Sequence, residues 1–166
     1  AAAFRELKPL ADAGDVAAVN TLGVMYAHGR GVPKDPATAV RLYRIAAEAG
    51  SADAQFNLAT MYSSGTGVPK NLTSAAQWFR KAADGGDIGA QRMLGIMYDD
   101  GLGVPKDRAV AARWFRKAVE GNDVPAQRRL GQMYVYGWGI QKDEAVGADL
   151  LGKAAEGGDA IAQFQI

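Results

Sequence analysis

His28 is the one histidine in this chain of 166 residues, and a general base would be sought there first. A nucleophile for it would have to be a hydroxyl from Thr60, Ser63 or Ser64. Those residues meet His28 only if the fold lays one stretch of chain beside the next. Asp99 and Asp100 form a carboxylate pair, but neighbours at i and i+1 on a helix point apart and serve poorly as acid and base. A lone histidine in a chain without cysteine cannot assemble the usual zinc ligand set, so no metal or cofactor is expected. Glycine pairs at 29/31, 65/67, 101/103 and 137/139 resemble phosphate-binding turns. Such turns need a strand before them and a helix after, and no strand pattern is present. Two further groups stand out. Arg92 and Arg128 could clasp a carboxylate if they share a face, and Trp78-Phe79 and Trp114-Phe115 could line a ligand box.

What would position these groups is a repeat. Tyr26, Tyr62, Tyr98 and Tyr134 are spaced 36 apart, as are Leu22, Leu58, Leu94 and Leu130, and Ala18, Ala54, Ala90, Ala126 and Ala162. Gly-Val-Pro-Lys recurs at 31–34, 67–70 and 103–106, and Gly139-Ile140-Gln141-Lys142 is its fourth form. Four full units result, at 15–50, 51–86, 87–122 and 123–158. Residues 1–14 align with the second half of a unit and 159–166 with the start of one. Units cut at both ends, with Ala1 in place of an initiating Met, lead us to expect a longer natural array, processed or excised.

Each unit reads as two helices. The first starts at Asp15, Ser51, Asp87 or Asp123, residues that accept hydrogen bonds from a helix N-terminus. Ala54, Leu58, Met61 and Tyr62 then follow the i, i+4, i+7, i+8 spacing of one helical face. The glycine pair ends this helix, and Pro33, Pro69 and Pro105 discourage its continuation. Asp35, Asn71, Asp107 and Asp143 cap the second helix, which ends at Gly50, Gly86, Asn122 and Gly158. One such pair cannot bury its apolar face alone, whereas stacked pairs make a continuous core.

The composition is 48% hydrophobic and 22% charged, ordinary for a folded domain. Nineteen basic against eighteen acidic residues leave a net charge of +1, which argues against nucleic acid or a membrane surface as partner. No apolar run approaches the roughly 18 residues needed to span a bilayer. Freedom from cysteine fits a cytosol and a bacterial periplasm alike.

The third unit shows the motif most fully: Ala90, Leu94-Gly95, Met97-Tyr98, Gly101-Leu102-Gly103-Val104, Asp107, Ala111, Trp114-Phe115 and Lys117-Ala118. This resembles the Sel-one-like repeats, relatives of the tetratricopeptide repeats with a longer loop between the helices, over essentially the whole chain. Val19 departs from the pattern by standing where a Gln belongs, Ala59 stands for the small Gly of the other units, and Leu150-Leu151 for Trp-Phe. The resemblance implies an all-α, right-handed superhelical solenoid of 36-residue helix-turn-helix repeats. It also implies an adaptor or scaffold that binds a protein or peptide, and no enzymatic activity. A cysteine-rich branch of the family is linked to cell-wall-type β-lactam compounds, and the link transfers poorly to a chain without cysteine.

The recurring residues are read as structure. Gly23, Gly95, Gly131 and Ala59 sit where two helices approach, and the 36-residue step of Trp78, Phe79, Trp114 and Phe115 favours core over a ligand box. The non-recurring residues are left to recognise something. Alignment with the tetratricopeptide pattern implies a concave face carrying Asn20, Val24 and His28, then Phe56 and Thr60, then Arg92, Ile96 and Asp99, then Arg128, Gln132 and Tyr136. Ala27, Ser63, Ser64, Asp100 and Val135 fall on the same face by that alignment. The two arginines would address an acidic or C-terminal group of a peptide, with Phe56 and Tyr136 as apolar anchors. The competing reading makes them solvated helix residues paired with Asp99 or Asp100. Two other functions stand beside binding. One is an enzyme acting on cell-wall-type substrates, which loss of turnover in His28→Ala would reveal. The other is a passive spacer.

Overall fold

A computed structural model describes residues 2–164, and all regular structure in them is helical, with no strand. The helices are α1 (Ala2–Asp12), α2 (Val16–His28), α3 (Pro36–Glu48), α4 (Ala52–Ser64), α5 (Leu72–Asp84), α6 (Ile88–Asp100), α7 (Arg108–Glu120), α8 (Val124–Tyr136), α9 (Glu144–Glu156) and α10 (Ala160–Gln163). The chain forms two compact units, Ala1–Asp87 and Ile88–Ile166. In the first, α1 to α5 pack in sequence, each on its neighbour; in the second, α6 to α10 do the same. The chain is a helical solenoid of repeats of about 36 residues.

The local signals act as their chemistry dictates. Amide N–H groups of Ala18, Ala54 and Ala126 donate to the side chains of Asp15, Ser51 and Asp123, and those of Thr38, Ser74, Val110 and Val146 donate to Asp35, Asn71, Asp107 and Asp143. Each second-helix cap also donates its own amide N–H backward, from Asp35, Asn71, Asp107 and Asp143 to the carbonyls of Tyr26, Tyr62, Tyr98 and Tyr134. One bond per repeat thus closes the long loop onto the last turn of the helix before it. At Gly67, φ is +70° and an added Cβ would lie 2.4 Å from the Pro36 carbonyl, so the loop of one repeat rests directly on the start of α3. Asn122 is the one described non-glycine residue with positive φ, at 59°, in the place that Gly50, Gly86 and Gly158 fill elsewhere.

The core of the first unit gathers Val40, Tyr43, Ala47, Ala54 and Leu58, and that of the second Ala112, Phe115, Leu130, Met133 and Leu150. Phe79 and Phe115 are fully buried and Trp114 nearly so, while Trp78 is half-buried. The recurring aromatics are packing groups. Burial raises the Tyr43 hydroxyl to a pKa of about 12. Close approach of paired helices is plain at Gly95, where an added Cβ would stand 2.5 Å from the Phe115 ring.

Candidate functional site

The positions assigned to a recognition face lie on α2 and α4 in the first unit and on α6 and α8 in the second. In the first unit His28, the last residue of α2, is exposed, and so is Thr60. Asn20 is half-buried and accepts from Asn57 Nδ2 at 3.2 Å, a tie between consecutive first helices. Val24 and Ala27 pack against the core, and Phe56 meets Phe79 edge-on at 5.5 Å. The Thr60 hydroxyl donates to the Phe56 carbonyl, and the Ser64 hydroxyl to the Met61 carbonyl. The Ser64 hydroxyl also lies 2.8 Å from the Thr66 hydroxyl in the loop, and among the described residues neither Thr60 nor Ser64 is hydrogen-bonded to His28.

In the second unit the arginines are engaged by the chain itself. Arg92 Nη1 donates to Asp123 Oδ2 at 2.8 Å, and Arg128 Nε donates to Asp159 Oδ2 at 3.0 Å. The separation is 31 residues in both cases. Asp123 and Asp159 use their other oxygen to cap α8 and α10. Each carboxylate is therefore held between a helix N-terminus and a guanidinium of the preceding repeat, and at Asp159 this arrangement favours the charged form. Burial works the other way at Asp159 and is the largest single influence. The N–H groups of Ala162 and Ile161 and the charge of Arg128 together outweigh it, and the pKa lies below the usual 3.8. The partners are thus Asp123 and Asp159, not Asp99 or Asp100 as the competing sequence reading had it. The reason is reach: a long side chain on one first helix spans to the start of the next.

Asp99 is buried and accepts from Arg108 Nε at 3.0 Å, whereas Asp100 is exposed. The Arg108 guanidinium also lies 5.1 Å from the centre of the Trp138 ring, and Trp138 stacks on Tyr136 at 4.8 Å with 26° between the planes. Tyr136 is 59% exposed and Trp138 36%. Asp99 and Tyr136, two of the expected site residues, are therefore joined through Arg108 and Trp138, which the sequence reading passed over. The signal was available. Position 138 follows Arg30, Thr66 and Leu102 at the 36-residue step, and position 108 follows Pro36, Leu72 and precedes Glu144. Both are non-recurring positions, but in the loop and at the start of the second helix rather than on the first helix. Ile96 packs half-buried against the core, and Gln132 is half-buried.

Among the described residues no cluster of three or more His, Cys, Asp or Glu gathers that could hold a metal ion. No helix among them is long and apolar enough to cross a membrane. An exposed, preorganised aromatic pair braced by a cation is suited to contact with another molecule.

A family model described as Sel1 repeat matches residues 16–51, 52–87, 88–123 and 124–159. Among solved structures, c5321, a protective antigen present in uropathogenic Escherichia coli strains displaying an SLR fold, is 38% identical with a TM-score of 0.92 over 95% of this chain. A Sel1 repeat protein from Oxalobacter formigenes is 38% identical with a TM-score of 0.86 over 90% of this chain. Helicobacter pylori cysteine rich protein B is 27% identical with a TM-score of 0.63 over 80% of this chain and 96% of its own. The chain spans 34% of the first of these proteins and 61% of the second. A search of curated proteins found no match. Four consecutive repeat matches and a shared fold at 38% identity show that the chain belongs to the Sel1 repeat family.

Proposed function

We propose that this chain is a binding module for a protein or peptide, and that in its second unit recognition centres on Tyr136 and Trp138. Sel1 repeat proteins are generally protein-interaction modules and typically non-catalytic scaffolds. The observation that carries the proposal is the stacked Tyr136–Trp138 pair. It is exposed, and Arg108 is fixed beside it by Asp99. Tyr, Trp and Arg dominate the energetics of protein interfaces, and rigid stacking lowers the entropy lost on binding. First-helix residues of the proposed concave face extend the surface within each unit: His28, Thr60, Phe56 and Asn20 in one, Ile96 and Gln132 in the other.

An acidic group on the partner would have to exchange with Asp123 or Asp159 to reach Arg92 or Arg128. Recognition is therefore placed on the aromatic pair rather than on the guanidiniums. The test is affinity capture from the native organism with the intact chain and with a Tyr136→Ala/Trp138→Ala variant of unchanged circular dichroism. Partners captured by the first and lost by the second support the proposal. Equal capture removes the aromatic pair from the site, and capture of nothing by either leaves a passive spacer.

A further inference from the structure

Between α1, α2 and α3 the first unit contains a cavity of about 340 Å³. Its walls are mainly apolar and include Phe4, Val19, Tyr26, Leu42 and Ile45. Phe4 and Tyr26 meet edge-on at 6.2 Å, and Ile45 at the rim is 57% exposed. The repeat itself shows what such a groove holds. One step of 36 residues along the chain, Leu42 becomes Trp78 and Val19 becomes Gln55. There the Trp78 indole packs against a core that includes Val40, Ala47 and Leu58, the counterparts of Phe4, Ala11 and Leu22 around the cavity. Gln55 Nε2 donates to the Ala47 carbonyl and fills the rest. Leu150 also replaces the tryptophan in the fourth repeat, but Gln127 keeps the glutamine and Leu150 is buried in its core. The first repeat alone among the four combines the two smaller, apolar choices.

We infer that this cavity is a binding site for an indole, supplied by a tryptophan side chain of a partner protein. The groove is the one the fold fills with its own tryptophan a repeat later, and it lacks that side chain. An apolar cavity of about 150 Å³ already takes a single aromatic ring, and ligand sites commonly begin near 300 Å³. The edges of Phe4 and Tyr26 suit an aromatic guest, which prefers edge-to-face packing. Ile45 stands where Lys81 covers the Trp78 ring at 4.1 Å, so one side of the mouth is apolar, while the exposed Lys8–Asp12 pair on α1 lines the other and offers a carboxylate to an indole N–H.

The test uses the whole chain and three probes: N-acetyl-tryptophanamide, a short tryptophan-containing peptide, and free indole. Binding is followed by amide chemical shifts. The expected result is saturable shifts confined to residues 4–49, with the peptide binding at least as tightly as free indole. Leu42→Trp, which restores the side chain of the later repeats, abolishes binding and raises the melting temperature by filling the space. Val19→Gln weakens binding and provides a second variant should Leu42→Trp not fold. No binding by any probe, or binding unchanged in both variants, overturns the site. Free indole binding more tightly than the peptide overturns the partner tryptophan and leaves a small-molecule pocket.

Discussion

Gly95 and Gly152 are both helical glycines, and replacing each by alanine separates helix propensity from helix packing. In isolation the change favours the helix by about 1 kcal/mol, because alanine loses less backbone entropy. At Gly152 an added Cβ meets nothing within 4 Å, so Gly152→Ala keeps that gain and stabilises the protein by about 0.5–1 kcal/mol. At Gly95 the same Cβ would stand 2.5, 2.6 and 2.8 Å from three atoms of the Phe115 ring. Phe115 is fully buried, so the ring has no solvent to move into. Overpacking of this kind costs about 1–3 kcal/mol, which exceeds the propensity gain, and the net result is a loss of about 1 kcal/mol. The second repeat shows the accommodation available, since Ala59 coexists there with Phe79 turned against Phe56; this holds the expected loss to the lower part of the range. Urea denaturation measures both variants. A double-mutant cycle with Phe115→Leu, which makes room for the methyl group, should return a coupling of about 1 kcal/mol. A Gly95→Ala midpoint at or above that of wild type would refute the packing account.

Arg128→Ala should lower stability by about 1 kcal/mol at neutral pH. Because the folded pKa of Asp159 is depressed, that contribution is complete above 3.8 and lost as pH falls through the lower folded value, so urea curves of variant and wild type should converge in acid. Asn122→Ala should lose about 1 kcal/mol by forcing a Cβ-bearing residue without a polar side chain into the left-handed region, whereas Asn122→Gly should retain full stability in the same assay. Tyr43 keeps its proton to about 12 in the folded chain, so its contribution is complete below 10.0 and is lost as pH rises from there through about 12. Phenolate absorbance should show a component that titrates near 12, and Tyr43→Phe should remove it.

The backbone was legible because each of its instructions is local. Asp35, Asn71, Asp107 and Asp143 announce a helix start by the chemistry of one side chain, and Asn122 in a column of glycines marks a left-handed residue without any tertiary knowledge. Side-chain partnership is not local. The pairing of Arg92 with Asp123 depends on how far one first helix lies from the next, which spacing along a single helix cannot state. The same holds for Arg108, whose contacts with Asp99 and Trp138 come from two repeats. Val19 departs from the repeat pattern in sequence, but only the fold brings it together with Leu42 around one cavity.

The carboxylates of Asp123 and Asp159, each shared between a helix start and an arginine, make the junctions of the second unit electrostatic. In the first unit consecutive first helices are tied at a different position, by Asn57 to Asn20, and that tie carries no charge. In an array held by nearest-neighbour couplings, ionic strength then acts on one set of joints and spares the other. Added salt should soften hydrogen-exchange protection at the starts of α8 and α10 while leaving α4 as it was, giving a single fold two mechanical regimes under one solvent variable.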